Sequence, residues 1–351
     1  MKLRKSLRSN EPYLIAETAY SHEGDFNYLE KQILDIIKTN VDAVKFHVMF
    51  DKNDYFIEQH ELFAKWDEFL FSEEQWLYLM KRLKNNNKEI IVLADDVKAV
   101  EFLYKNPDLV DGVEIHAACI NDPILLKEIL KFTKKFHKIF IAGISGLEID
   151  EIFTLNDILA NEEIEDVLFM YGFQNYPTDY KKIKMSNINH MSRIFNRKIG
   201  YADHTETNDK YKKDIIILAI GVGANIIEVH YKLNNEDERI DGITALNSKK
   251  LHEIKNDMVL LSKVLGNPDF RMNEDEKKYS KYRKSCMYKN NFEKGHVIKE
   301  EDLVFKRINN PENIMKINEY KQFLGRKLSQ NVKKYTIINK NHFMKKGEEN
   351  D

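Results

Sequence analysis

About eight short apolar segments alternate with longer segments of helical periodicity, and this alternation limits the possible folds more than any other feature of the chain. It runs from residue 13 to about residue 265 and predicts repeated βα units. The short segments are mostly apolar, as expected of parallel strands covered on both faces. The predicted strands are Tyr13–Ala16, Ala43–His47, Ile90–Ala94, Gly112–His116, Lys138–Ala142, Asp166–Tyr171, Lys198–Tyr201 and Ile226–His230.

The segments between the strands predict the helices that would cover such a sheet. Leu29, Ile33 and Ile36 fall on one helical face, for example, while charged residues fall on the other. Eight units in about 250 residues match a closed barrel better than an open doubly wound sheet. No Gly-x-Gly-x-x-Gly follows the first strand, which also argues against a dinucleotide-binding fold. The predicted fold class is therefore α/β, with a (β/α)8 TIM barrel over residues 1–265.

The composition changes after the barrel. Residues 267–284 are nearly all polar, and we predict a linker over 266–284. A second domain, compact and mostly β, is expected over 285–345. Its strand candidates are Cys286–Tyr288, Val304–Lys306 and Gln330–Val332.

Charge and hydropathy argue against several classes of function. The 55 Lys and Arg residues nearly balance the 57 Asp and Glu residues, so no basic face is expected for nucleic acid. The longest strongly apolar stretch, 215–227, is interrupted by Gly and Asn and is shorter than the roughly 20 residues of a membrane span. Residues 13–16 are too short a run for a secretory signal, so we expect a cytoplasmic protein. The two cysteines, Cys119 and Cys286, predict no disulfide framework.

Two histidines fall at neighbouring strand ends. His204 follows the seventh predicted strand and His230 ends the eighth, and in a barrel the carboxyl ends of the strands meet on one face. Imidazole is the commonest neutral ligand of a divalent ion, and a carboxylate such as Asp203 or Glu228 would orient the rings. A single histidine there is more often a hydrogen-bonded core group, but two at adjacent ends predict a metal site.

Other polar side chains are predicted at the same rim. Glu17 would orient or deprotonate a sugar hydroxyl, or else it is a buried carboxylate that bridges barrel strands. Lys45 lies within an apolar strand and suits a phosphate or a carboxylate. Gln174 and Tyr176 follow the sixth strand, where they would position a polyol or simply form a turn.

These segments, in this order, resemble the sialic acid synthase family, the phosphoenolpyruvate-dependent nonulosonate synthases. Residues 15–25 resemble the family's opening IAEIGINHNGD, residues 42–47 its DAVKFQ, residues 199–205 its IGYSDHT, and residues 227–230 its IEKHF. The last segment of the chain is similar to the family's antifreeze-like (SAF) domain, which reaches over the partner's barrel. The segments that carry this second likeness are 292–295, 300–307 and 323–327.

The resemblance implies an activity and a set of site residues. Phosphoenolpyruvate would condense with an N-acylated hexosamine, releasing phosphate, in surface-glycan biosynthesis by a domain-swapped homodimer. A divalent ion, Mn2+ or Mg2+, would be held by His204 and His230, with a catalytic carboxylate at Glu17 and a phosphate-binding Lys45. The other substrate-binding residues would be His47, His116, Gln174, Tyr176, Asp241 and Arg307, the last in the site of the other subunit.

Several positions depart from the family pattern where the family holds phosphate. They are Ala94, Glu114, Ala117 and Ala202, and Cys119 stands where the family has the carboxylate that grips the sugar. Replacing a lysine by Glu114 beside a phosphate reverses an interaction worth roughly 4 kcal/mol at about 4 Å and an effective dielectric near 20. Three hypotheses remain: a divergent nonulosonate synthase, a metal-dependent aldolase, lyase or isomerase that does not use phosphoenolpyruvate, and a non-catalytic sugar-binding barrel.

Overall fold

The computed structural model describes residues 1–172, 175–234, 238–309 and 315–344. The predicted site residue Gln174 lies outside the described residues. The chain divides into two compact units, Met1–Asn267 and Pro268–Asp351. Among the described residues, no helix has the length and apolar character that crossing a bilayer requires.

The first unit is a closed barrel of eight parallel strands that pair in chain order, with the eighth strand beside the first. The TIM barrel prediction is confirmed, and each predicted barrel strand overlaps an observed one. The strands are β1 Tyr13–Glu17, β2 Ala43–Val48, β3 Glu89–Ala94, β4 Gly112–Ile115, β5 Ile139–Gly143, β6 Val167–Tyr171, β7 Lys198–Asp203 and β8 Ile226–His230.

Helices precede and follow these strands. They are α1 Lys2–Arg8, α2 Phe26–Ile36, α3 Lys52–Tyr55, α4 Glu73–Asn85, α5 Val97–Lys105, α6 Pro123–Phe136, α7 Ile149–Asn161, α8 Asn187–Phe195, α9 Lys212–Gly221 and α10 Ser248–Leu265. Short 3-10 helices occur at Lys65–Phe69, Pro107–Leu109, Ala117–Cys119 and Tyr180–Lys182. The side chains of Asp25, Asp96 and Asp122 cap α2, α5 and α6 by accepting backbone N–H groups, which satisfies donors that a helix leaves unpaired.

Side chains inside the barrel form layers, because residues two apart along a strand share a face. An apolar cluster of fully buried side chains, among them Tyr13, Ile15, Ile91 and Ile141, fills the lower layers. The next inward position of β1 after Ile15 is Glu17. The polar groups therefore begin where the apolar filling of the barrel ends, at the carboxyl ends of the strands.

The second unit is small and held by its own core. Strands β9 Ser285–Tyr288 and β10 Leu303–Lys306 pair antiparallel. Gln330–Val332, predicted as a strand, is not one, because Val332 makes only an isolated bridge to Phe292. The predicted linker contains the helix α11 Glu274–Ser280, whose Asn273 cap and acidic first turn form a capping box within a polar sequence. Further 3-10 helices lie at Glu300–Asp302, Glu319–Phe323 and Lys340–His342.

Candidate active site

A cavity of about 430 Å³ opens at the carboxyl ends of the barrel strands. This is the face on which barrel enzymes place their chemistry. Many charged and titratable side chains line it, and aromatic rings form part of its wall. The lining includes Glu17, Tyr20, Lys45, His47, Tyr55, Phe56, Trp66, Asp95, Glu114, His116, Tyr176, His204, Glu228, His230 and Asp241.

Three of these side chains form a group that we call the metal cluster: Glu17, His204 and His230. Their ligand atoms all lie within 4.8 Å of one another, and all three residues are buried. The two imidazole rings are 4.9 Å apart. Nδ1 of His204 is buried and has no hydrogen-bond partner among the described residues. A buried polar atom without a partner is rare in native structures and points to a missing ligand or ion.

Two groups of the protein contact the nitrogens of the His230 ring. Nδ1 lies 3.3 Å from the hydroxyl oxygen of Thr244, and that hydroxyl donates to the backbone carbonyl of Asp241 at 3.0 Å. Nε2 lies 3.2 Å from Oε2 of Glu17. Ligand atoms about 2.1 Å from one ion lie about 3 Å apart, so the separation of Nε2 and Oε2 suits a shared cation.

The protonation states of the metal cluster also suit an ion. Burial, helped by the neighbouring His230, lowers the pKa of His204 well below its ordinary value, which favours the neutral ring. Burial alone would raise the pKa of Glu17, but Lys45 and His230 hold it well below its usual range. A neutral imidazole and an ionised carboxylate are the forms that bind metals. The residues present therefore fit a divalent ion.

Lys45 is the centre of a second group, the lysine cluster, which also contains Glu114 and Glu228. The ammonium Nζ lies 2.7 Å from Oε1 of Glu228, 3.1 Å from Oε2 of Glu114 and 3.2 Å from Oε1 of Glu17. All four side chains are at most 4% exposed. Burial lowers the pKa of Lys45, but the three carboxylates more than compensate and raise it well above its ordinary value. Lys45 is therefore a permanent cation held by protein groups.

The two glutamates of the lysine cluster differ electrostatically from Glu17. Burial raises the pKa of Glu228 well above its usual value, and burial also raises the pKa of Glu114, in both cases against the opposing effect of Lys45. Oε2 of Glu228 is buried without a hydrogen-bond partner among the described residues. One lysine cannot neutralise three carboxylates, so this end of the cavity is acidic.

His47 lies between Glu17 of the metal cluster and Asp95, which follows β3. Its Nε2 lies 2.9 Å from Oε1 of Glu17, and its Nδ1 lies 3.4 Å from Oδ2 of Asp95. Burial lowers its pKa, but the bonds to Asp95 and Glu17 raise it overall to about 10. Tyr20 donates to the same Asp95 oxygen at 2.7 Å. His47 is thus an imidazolium whose two nitrogens both face carboxylates of the protein.

Comparison with known proteins identifies the family of this chain. The NeuB family model matches residues 33–269, which is more than half of the chain. The chain belongs to the NeuB family. It is 25% identical over 341 residues to the N,N'-diacetyllegionaminic acid synthase of Campylobacter jejuni, covering 93% of this chain and 98% of the relative. It is 22% identical over 334 residues to a pseudaminic acid synthase of the same species, covering 92% and 93%.

A solved structure has the same fold. The N-acetylneuraminic acid (sialic acid) synthetase of Leptospira borgpetersenii, crystallised with citrate, superimposes with a TM-score of 0.68 at 21% identity. The match covers 78% of this chain and 92% of that one. At this identity the likeness concerns the fold.

Most site residues predicted from the sequence of this NeuB family chain surround the one cavity. Tyr176 stacks on the His230 ring, with centroids 5.7 Å apart, and meets the His204 ring edge-on at 5.1 Å. His116 lies with its ring 5.8 Å from His47, and burial together with the charge of His47 lowers its pKa to about 4. Asp241 lines the opening, and burial raises its pKa.

One prediction differs from the structure, and another concerns a residue of the second unit. The expected orienting carboxylates do not contact the imidazoles: Asp203 accepts from Tyr201, Thr205 and Lys212, and Glu228 belongs to the lysine cluster. The Thr244 hydroxyl takes that place at His230. Arg307 lies in the second unit, exposed, with its guanidinium 5.2 Å from the Tyr282 ring.

Sequence reasoning missed the aromatic wall, which consists of Tyr20, Tyr55, Phe56 and Trp66. The Trp66 ring lies 4.8 Å from Tyr20 and 5.0 Å from Phe56, and it lines the cavity. Its Nε1 is buried and has no hydrogen-bond partner among the described residues. The signal was available, because aromatic residues are dense in the long connection between β2 and α4.

Proposed function

We propose that this chain is a metal-dependent enzyme of amino-sugar biosynthesis that forms a carbon–carbon bond at the aldehyde carbon of an open-chain N-acylated hexosamine. The observation that carries the proposal is the metal cluster at the inner end of a 430 Å³ cavity, in a member of the NeuB family. The product would be a nonulosonate for a surface glycan, as the names of the curated relatives suggest.

The metal cluster would hold the ion, Mn2+ or Mg2+, through the Glu17 carboxylate and the two imidazoles. Such an ion polarises a carbonyl group without transferring a proton. Thr244 orients His230 through Nδ1, and His47 holds one oxygen of Glu17 at 2.9 Å. Tyr176 packs against both rings. These side chains fix the ligands before substrate arrives, which lowers the cost of ordering them in the complex.

The rest of the cavity suits a sugar chain. Its volume lies in the range of small-molecule sites, which combine apolar surface with a few polar groups. The aromatic wall offers flat apolar faces, and Asp95 and Asp241 offer acceptors for hydroxyl groups. His116, neutral at physiological pH, would add a further polar contact, and Gln174 is proposed as another from its place in the sequence.

Phosphoenolpyruvate is the carbon donor that the family resemblance implies, with Lys45 as its phosphate ligand. In that reading its C3 attacks the aldehyde, water adds at C2 and phosphate leaves. A domain-swapped homodimer, in which the antifreeze-like domain brings Arg307 to the partner's barrel, would supply a further cation. The contacts of Lys45 favour a second candidate, a metal-dependent aldolase, lyase or isomerase that takes no phosphorylated donor.

The test measures metal binding and turnover separately. We expect Mn2+ to bind in calorimetric titration of the purified chain, and metal-dependent loss of aldehyde when N-acetylmannosamine and other N-acylated hexosamines are supplied with carbon donors. His230→Ala should abolish both, whereas His252→Ala, an exposed position on α10, should change neither. Metal binding without turnover of any aldehyde would favour the non-catalytic sugar-binding barrel, and absence of metal binding would reject the proposal.

A further inference from the structure

Lys212 occupies a position that the local rules of helix formation disfavour. It is the first residue of α9, and its side chain is only 5% exposed. A cation at the amino end of a helix faces the positive end of the helix dipole, and a buried ammonium group loses its hydration. Where a residue conflicts with its local setting in this way, its contacts with the rest of the fold account for it.

The ammonium group of Lys212 contacts the chain on both sides of His204. It donates to Oδ2 of Asp203 and to the backbone carbonyl of Thr205 at 2.8 Å. Asp203 in turn accepts from the Thr205 hydroxyl at 2.9 Å. One cation therefore fixes the residues immediately before and after His204, whose own Nδ1 has no partner among the described residues.

The third contact of Lys212 reaches the loop after β8. Its Nζ donates to the backbone carbonyl of Thr244 at 3.1 Å. The hydroxyl of the same threonine lies 3.3 Å from Nδ1 of His230. The loop that carries one imidazole of the metal cluster and the loop that contacts the other are thus joined through a single side chain of α9.

We infer that Lys212 is a positioning residue of the metal cluster, which joins the loops after β7 and β8 so that the imidazoles of His204 and His230 stand at the separation that one ion requires. The inference rests on the metal-dependent function proposed above. Ligands that are held in place before the ion arrives bind it more tightly, because less conformational freedom is lost on binding. The donors of Lys212 bond to groups of the protein, so it acts through the ligands and not on a substrate.

Lys255 provides a matched control, because it is also a buried lysine with a carboxylate and a carbonyl as partners. It lies on α10, donates to the backbone carbonyl of Pro12 at 2.8 Å and pairs with Asp42. Pro12 and Asp42 directly precede β1 and β2, at the opposite end of the strands from the metal cluster. Lys255→Met therefore removes a similar set of contacts without touching the two loops.

The first test compares Lys212→Met with Lys255→Met in the full-length chain. Urea unfolding followed by circular dichroism should show a lower midpoint for both variants. In calorimetric titration of Mn2+, Lys212→Met should bind at least about tenfold more weakly than the unmodified chain, the effect typical of losing a contact that orients metal ligands. Lys255→Met should keep the unmodified affinity.

Two further variants separate positioning from folding. Lys212→Arg keeps a cation with several N–H donors, so it should recover most of the Mn2+ affinity that Lys212→Met loses. If Lys212→Met does not fold, Asp203→Asn takes its place, because it removes the carboxylate charge that holds the ammonium group while preserving the shape of the side chain. Asp203→Asn should also weaken Mn2+ binding.

A measurement without metal tests the joining of the loops directly. In hydrogen exchange of the metal-free chain followed by mass spectrometry, Lys212→Met should speed exchange in both 203–207 and 241–246, since the loss of tertiary bonds increases local opening. Lys255→Met should leave exchange in these two segments unchanged.

Three results would overturn the inference. They are unchanged Mn2+ affinity in the folded Lys212 variant, an equal loss of affinity in Lys212→Met and Lys255→Met, and unchanged hydrogen exchange in the two segments. An equal loss would mean that reduced stability, and not the position of the loops, weakens metal binding. The unmodified chain is read separately: if it binds no Mn2+, the proposed function fails, and hydrogen exchange alone decides whether Lys212 joins the loops.

Discussion

The metal cluster and the lysine cluster lie in one cavity and meet at Glu17, which contacts Lys45, but their polar groups are paired differently. At the metal cluster, Nδ1 of His204 is buried without a partner among the described residues, and Nε2 of His230 lies 3.2 Å from Oε2 of Glu17. At the lysine cluster, Nζ of Lys45 donates to Glu228 and Glu114, while Oε2 of Glu228 is buried without a partner among the same residues. Buried polar groups without partners mark where a ligand or ion belongs. The comparison separates two imidazoles that can accept an ion from a cation that the protein already pairs with its own carboxylates.

The largest expected effect is on stability, from removing the charge of Lys45. Lys45→Met leaves three buried carboxylates without their cation, and breaking a buried ion pair in this way costs about 3–5 kcal/mol. Urea unfolding followed by circular dichroism measures this loss. Lys105→Met, which removes an exposed ion pair with Glu73, should cost at most about 1 kcal/mol. Equal effects of the two substitutions would show that the lysine cluster is not a buried network.

The next largest effect is expected from a substitution in the metal cluster. His204→Ala should weaken Mn2+ binding at least a hundredfold, measured from the free-ion signal in electron paramagnetic resonance. Its effect on the free energy of unfolding should be smaller than that of Lys45→Met, because Nδ1 of His204 has no hydrogen bond to lose. A large loss of stability with unchanged metal affinity would make His204 a structural residue.

A third prediction concerns the stability of the chain at acid pH and depends on a histidine in the loop that follows β1. Burial, with the charges of His47 and Arg239, lowers the pKa of His22 from 6.5 to about 3. The unfolded chain therefore binds this proton first, and the free energy of unfolding falls as the pH drops from 6.5 toward 3, by about 2 kcal/mol at pH 5. Measuring urea unfolding at pH 7 and pH 5 checks this.

The matched variant for His22 is His22→Asn, which keeps an acceptor for the Gly24 N–H that Nδ1 receives at 3.1 Å. It should lose less stability than the unmodified chain between pH 7 and pH 5. His252→Asn, at an exposed position, should retain the full pH dependence. An identical pH dependence in all three proteins would contradict the assignment to His22.

The smallest expected effect is on metal affinity and tests how the His230 ring is oriented. Thr244→Val removes the hydroxyl beside Nδ1 while keeping the shape of the side chain, and the loss of such an outer contact typically weakens metal binding by about tenfold. Thr244→Ser should restore the affinity. Calorimetric titration of Mn2+ gives both numbers, and unchanged affinity in Thr244→Val would mean that the hydroxyl does not orient the ring.

The barrel could be predicted from the sequence because its strands are buried on both faces. Strands β1 to β8 are therefore short apolar runs that the sequence pattern locates. The sequence also predicted that Glu17, His204 and His230 lie at one rim of the barrel, because the carboxyl ends of parallel strands meet there. The roles of these residues remain proposals. The C-terminal unit was harder: Val332 pairs through a single bridge, and a residue pattern does not distinguish a bridge from a strand.

The lysine cluster was beyond sequence reasoning for a different reason. Whether Lys45 is free depends on distances across the barrel from β2 to β4 and β8, and these are set by how the closed sheet is filled. The alternation along β8 does give a partial signal, since Glu228 shares a face with His230 and therefore points inward. The orienting role predicted for Asp203 failed because its partner Lys212 lies on α9, in the connection that follows.

The apolar layers beneath the cavity have a kinetic consequence. Tyr13, Ile15, Ile91 and Ile141 are fully buried, so the barrel is closed below Glu17 and Lys45 and can be entered only from the carboxyl ends of its strands. In the proposed function an ion and a sugar would use the same route, and a bound sugar would slow the exchange of the ion with solvent.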